Sequence, residues 1–194
     1  MPLVVILSGP NGAGKTTAAR TLLRGPLRVD AFVNADIIAQ GLGGRSPGEA
    51  DFGAGRIMIR RLDELADAGA NFAFETTLAS RSFAPRVAKL KDRGYLFALL
   101  YVWVPSPEDS IARVQDRVRR GGHFVPDDEV RRRHGRGLRN FFDLYRPIAD
   151  VWSFFDNTDS TGPRIIASGV REFERIHDRT TWQKVMEVQR DSTQ

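Results

Sequence analysis

The stretch Gly9-Pro10-Asn11-Gly12-Ala13-Gly14-Lys15-Thr16 carries glycines, a lysine and a hydroxyl at the spacing G-x-x-x-x-G-K-[ST]. Such a loop serves phosphate chemistry. Its glycines let the backbone curl until several N–H groups point inward at a polyphosphate. The helix that opens directly after it adds the positive end of its dipole. Lys15 is spaced to reach the β- and γ-phosphates, and the Thr16 hydroxyl is the expected Mg²⁺ ligand, with Thr17 beside it. ATP or GTP with Mg²⁺ is therefore the ligand these residues imply.

Two acids stand where strands should end: Asp36 in Val33-Asn34-Ala35-Asp36, and Glu75 in Phe72-Ala73-Phe74-Glu75-Thr76-Thr77. In open α/β sheets ligands sit outside the carboxyl ends of the strands, so both acids should face the phosphate loop. Phosphoryl transfer needs a carboxylate to orient an acceptor hydroxyl and take its proton. Asp36 is read as that base, and Glu75 as a substrate-side or metal-shell ligand, with Asn34 and Thr76 as their substrate-side neighbours. The alternatives are structural: Asp36 could cap the helix beginning at Ile37-Ile38, and Glu75 could be an exposed strand-end charge.

A third group is cationic. Of 29 basic residues 25 are arginine, and the net charge is +5. Between Glu108 and Asn140 nine arginines face six acids, so this segment alone carries +3. Arg113, Arg117 and Arg120 are spaced i, i+4, i+7, which places them on one face of a helix before a Gly121-Gly122 hinge and His123. A lid covering roughly 113–133 follows, with Arg113 toward the nucleotide and Arg117 and Arg120 toward the transferring group. The alternative is a solvated helix face. Arg131, Arg132 and Arg133 are consecutive and cannot all reach one ligand.

The elements that must position these groups alternate. Strands are expected over 3–7, 29–33, 72–74, 95–104, 151–155 and 164–167. Helices are expected over 16–23 (stopped at Gly25-Pro26), from Ser46-Pro47 to 68, over 83–91, in two pieces through the arginine segment, and over 172–189. The strands are continuous apolar runs, which implies a mostly parallel sheet covered on both faces, a three-layer α/β/α sandwich. At 194 residues one domain is expected over 1–194, and the absence of cysteine excludes disulfides and thiolate metal sites. The longest apolar run is about half the ~20 residues needed to span a bilayer, and nothing reads as a signal peptide, so a cytoplasmic protein without membrane contact is expected.

With these residues in view, the chain resembles the zeta-toxin family of P-loop kinases: GPNGAGKT, then VNADIIA, FAFETTL, and RVRRGGHFVP before RRR. The resemblance implies a nucleoside-kinase-like sheet with an arginine-bearing lid. It implies transfer of the γ-phosphoryl group of ATP to a hydroxyl of a nucleotide sugar such as UDP-N-acetylglucosamine, and an antitoxin as protein partner. It also implies a substrate contact near Arg81 and a lid position that His123 could fill. Thr76-Thr77-Leu78-Ala79-Ser80 stands where the family's sugar kinases tend to have a Gly-rich stretch. Two rival readings remain at this point. A nucleic-acid 5′-end kinase would use the arginine excess, although outside the lid segment the sequence lacks a basic stripe interleaved with aromatics; an ATP-dependent switch would need no acceptor.

Overall fold

The computed structural model describes residues 1–23, 29, 31–42, 47–159 and 161–191. Gly25, Pro26 and Ser46, expected at helix boundaries, lie outside them.

Strands β1 (Leu3–Ser8), β2 (Ala31–Val33), β3 (Phe72–Thr76), β4 (Leu96–Trp103), β5 (Val151–Asp156), β6 (Arg164–Val170) and β7 (Phe173–Ile176) form one sheet in the order β2-β3-β1-β4-β5-β6-β7. The first five are parallel, and β6 and β7 are added antiparallel. Helices α1 (Lys15–Leu22), α2 (Ala35–Gly41), α3 (Pro47–Asp67), α4 (Phe83–Asp92), α5 (Pro107–Arg119), α6 (Asp127–Asn140) and α7 (Arg179–Asp191) complete the layers. The fold is the expected three-layer sandwich.

Period-2 alternation within apolar strands builds two cores, one on each face of the sheet. Val4, Ile6, Phe72, Phe74, Leu99 and Tyr101 face α3, α4 and α6, while Val5, Leu7, Ala73, Leu100 and Val102 face Ala18 and Ala19 of α1. Small residues on the second face let α1 lie close to the sheet, directly behind the phosphate loop. The first core ends in an aromatic stack. Phe154 lies 4.9 Å from Tyr101, 5.1 Å from Phe141 and 5.3 Å from Trp182, centroid to centroid. Helix α6 runs on into this stack through a π-helical turn, Phe141–Tyr145.

One element differs from expectation. The segment read as a helix over 172–189 is strand β7 followed by α7. Phe173 and Ile176 fit a helical i, i+3 pair equally well in sequence, but β6 turns back at Arg171, whose φ is 53°, and Phe173 pairs with Val170. The helix starts only after Asp178, which accepts the Thr181 N–H at 3.0 Å. Phe173 is 83% exposed, whereas Ile176, Val185 and Val188 pack on the domain.

Phe154→Ala should cost about 3–5 kcal/mol, because it removes a fully buried ring from the middle of the aromatic stack. Thermal or denaturant unfolding checks this; a loss below about 1 kcal/mol would mean that the stack collapses to fill the space.

Candidate functional site

The sheet register brings the polar residues together. Val33 pairs with Phe74 and Leu7 with Glu75, so Asn34 and the end of β1 arrive on either side of the Glu75 carboxylate. Glu75 Oε2 accepts from Asn34 Nδ2 at 2.8 Å and from Thr16 Oγ1 at 2.9 Å, and Oε1 lies 3.7 Å from Lys15 Nζ. The Asn34 carbonyl oxygen, turned the other way, caps α2 by accepting from the N–H groups of Asp36 and Ile37. Asn34, then, is the N-cap, and Asp36 stands in the first turn with its carboxylate 48% exposed. Glu75 is far from an exposed strand-end charge: its side chain is 12% exposed and engaged by three partners.

The phosphate loop has the backbone its chemistry requires. Gly12 and Gly14 adopt φ of 75° and 82°, open to glycine and costly for other residues. A Cβ at Gly12 would meet the Ser110 carbonyl at 2.6 Å. No side chain caps α1 and no acid occupies its first turn, so its N-terminal N–H groups stand open to an anion. Asn11 Oδ1 is buried without a partner at the same place. Lys15 is only 7% exposed and donates to the Pro10 carbonyl at 2.9 Å. Burial pushes its ammonium below the usual lysine range, opposed by Glu75 and Asp36 and reinforced by Arg117. The negative charge of a bound polyphosphate would offset that desolvation. These residues fit ATP, and Thr16 with its hydroxyl exposed at the helix start fits a Mg²⁺ ligand. Among the described residues no group of three acids or histidines could hold a metal by itself.

A cavity of about 520 Å³ opens over this network, lined by Asn11, Lys15, Asn34, Asp36, Glu75 and Thr76 on one side and by Glu129, Arg132, Arg133 and Arg136 of α6 on the other. Its floor is the segment after β3. Leu78 takes a left-handed φ of 57°, a strain of about 1–3 kcal/mol, with its side chain fully buried. Helix α6 clamps this turn. Asn140 Nδ2 donates to the Leu78 carbonyl at 2.7 Å, Tyr145 donates to the Ser80 carbonyl at 2.8 Å, and a Cβ at Gly137 would meet the Thr77 carbonyl at 2.4 Å.

The arginines divide differently from the sequence reading. Arg117 Nη1 lies 3.8 Å from Asp36 Oδ2, and its Nη2 donates to the His123 carbonyl at 2.9 Å. Arg113 is turned to the carbonyls of Asn157 and Thr158, at 2.8 and 2.7 Å. Helix α5 ends at Arg119, so Arg120 leaves the shared face and pairs with Asp116 at 2.6 Å, 78% exposed. Arg81 is exposed, and neither it nor His123 lines the cavity. The cationic wall comes instead from α6, where Glu129, Arg132, Arg133 and Arg136 follow i, i+3, i+4, i+7. Arg136 was not singled out in the sequence, although that spacing was there to find. Burial disfavours the Glu129 carboxylate, but its bonds from Arg132 and Arg133 outweigh this and hold its pKa below the usual range.

A family model described as an AAA domain matches residues 4–140, which contain the loop, both acids and the α6 wall. The chain belongs to this AAA domain family. The family shown is this one, and not specifically the zeta toxins. The AAA domain is 30% identical over 130 residues to an uncharacterized protein of Haemophilus influenzae, an alignment covering 67% of this chain and 91% of that protein. Its fold is similar to a chain in the crystal structure of AvrRxo1-ORF1:-ORF2 with ATP (TM-score 0.78, 18% identity, 97% of this chain and 64% of that one). It is also similar to a structure of the PezAT chromosomal toxin–antitoxin system of Streptococcus pneumoniae (TM-score 0.62, 17% identity, 100% of this chain and 86% of that one). The chain thus shares the fold of these neighbours, and it spans about two thirds of the AvrRxo1 neighbour's chain.

Gly137→Ala should destabilise this AAA domain by about 1–3 kcal/mol, since the obstacle is the Thr77 backbone and not a movable side chain. A matching fall in unfolding midpoint checks it; an unchanged midpoint would mean that α6 does not clamp the turn.

Proposed function

We propose that this AAA domain is a phosphotransferase that moves the γ-phosphoryl group of ATP to a hydroxyl of an anionic small molecule, a nucleotide sugar such as UDP-N-acetylglucosamine being the leading candidate. One observation carries this reading: a single cavity joins Lys15 of the phosphate loop, the Asp36 carboxylate and a wall of three arginines. A nucleotide switch without acceptor has no use for that second, cationic wall.

In this reading the α1 N-terminus and Lys15 hold the β- and γ-phosphates, and Thr16 together with Glu75 holds the Mg²⁺ side. Mg²⁺, when bound, neutralises charge on the phosphate oxygens and aligns them. Asp36, open to the cavity and close to Arg117, orients the acceptor hydroxyl and takes its proton as the new P–O bond forms and the bond to the β-phosphate breaks. Arg117 stabilises charge on the transferring group. Arg132, Arg133 and Arg136 hold an anionic part of the acceptor, with Asn34 and Thr76 at its polar edge. Arg120, Arg81 and His123 have no part in it.

The toxin–antitoxin origin of the Streptococcus pneumoniae neighbour supports an antitoxin-type protein partner here as well. Among the described residues no helix is long and apolar enough to cross a membrane.

Incubation with γ-labelled ATP, Mg²⁺ and a panel of nucleotide sugars tests the proposal. Label should appear on UDP-N-acetylglucosamine or a close relative and vanish in Lys15→Ala. Asp36→Asn should lower turnover by about two orders of magnitude or more while leaving nucleotide affinity nearly intact. Slow phosphate release with no labelled acceptor would contradict it.

A further inference from the structure

The phosphate loop is held from outside by a residue beyond the family-matched stretch of 4–140. Asn157, in the turn that leaves β5, donates from Nδ2 to the Ala13 carbonyl at 2.7 Å, across 144 residues of chain. The approach is close enough that a Cβ at Gly14 would lie 2.6 Å from that Nδ2. The Asn157 turn is itself fastened on two sides. Its backbone carbonyls at 157 and 158 take both terminal nitrogens of Arg113 from α5. Asp156 accepts from the Thr158 N–H at 3.0 Å and from Arg164 at 3.2 Å, and Arg164 reaches on to Asp178, the cap of α7.

We propose that Asn157 is a positioning residue of the phosphate loop, clasping it to α5 and β5 so that its N–H groups face the phosphates. The reason lies in the peptide plane. In a trans peptide the carbonyl of residue 13 and the N–H of residue 14 point in opposite directions. A donor that fixes the Ala13 carbonyl outward therefore fixes the Gly14 N–H inward, toward the ligand. Glycine flanks that plane and resists its rotation little, so without Asn157 the peptide is free to flip and withdraw a phosphate donor. Arg113 completes the clasp. Its guanidinium is spent on the two carbonyls, and its Cβ is 3.1 Å from the position a Gly12 Cβ would take. Arg113 acts on nucleotide through the turn it grips, with no phosphate contact of its own.

The inference rests on the nucleotide-binding part of the proposed function and needs no phosphoryl transfer, so a binding measurement separates the two. Calorimetric titration with ATP–Mg²⁺ and with inorganic tripolyphosphate–Mg²⁺ compares wild type, Asn157→Ala, Asn157→Asp and Arg113→Gln. Asn157→Ala should weaken both ligands by about tenfold and to the same extent, as expected where a buried acceptor loses a side-chain donor. Asn157→Asp keeps the shape without the donor and should weaken both at least as much. Arg113→Gln, which frees the turn from α5, should weaken both about threefold and serves if either Asn157 variant does not fold. Unchanged affinity in the folded variants overturns the clasp. Loss confined to ATP also overturns it, because the turn would then be touching the nucleoside. A wild-type chain that binds neither ligand overturns the phosphate site itself, and the clasp with it.

Discussion

One carboxylate organises the site. Glu75 stands one residue before the end of β3, an inner strand whose first three residues are buried, where an unpaired charge would be costly, and it is tolerated because Thr16, Asn34 and Lys15 surround it. Those partners come from the first two residues of α1, which close the phosphate loop, and from the turn after β2. Satisfying this single group therefore ties β3 to both of them before any ligand arrives. Lys15 in turn holds the loop from inside through the Pro10 carbonyl, while Asn157 holds it from outside through Ala13. The loop is thus shaped by one side-chain donor on each side.

Much of this was legible in the residues. The phosphate loop followed from spacing, and the parallel sheet from continuous apolar strands interleaved with helices. The position of Asp36 and Glu75 at the phosphate-loop end followed from the rule that ligands sit at strand carboxyl ends. Other parts were hidden, for identifiable reasons. Asn34 does two jobs, capping α2 with its oxygen and binding Glu75 with its nitrogen, and the second depends on a pairing register that composition does not reveal. The sequence points to α5 for the lid arginines because Arg113, Arg117 and Arg120 are spaced to share a helical face. Which neighbour a face meets is settled by packing, and packing turned α6 to the cavity. Helix β-strand ambiguity at Phe173 and Ile176 has the same origin: four residues fit either period, and the turn at Arg171 decides.

The floor of the cavity shows how packing supports local strain. Leu78 sits in a conformation that disfavours any side chain, yet its burial and the grip of Asn140, Tyr145 and the bare Gly137 keep it there. The same helix presents the arginine wall. The turn after β3 and the arginine wall are thus held against each other through α6.

In the proposed function Glu75 links the nucleotide loop to the metal side of the site, and magnesium dependence measures that link directly. ATP affinity of Glu75→Gln should be compared with wild type in the presence and absence of Mg²⁺. Without Mg²⁺ the variant should bind as well as wild type or better, since a negative charge has left the phosphate site. The strengthening that Mg²⁺ gives the wild type should fall by about tenfold or more. An undiminished Mg²⁺ effect in a folded Glu75→Gln protein would contradict the account and leave Glu75 as a structural anchor only.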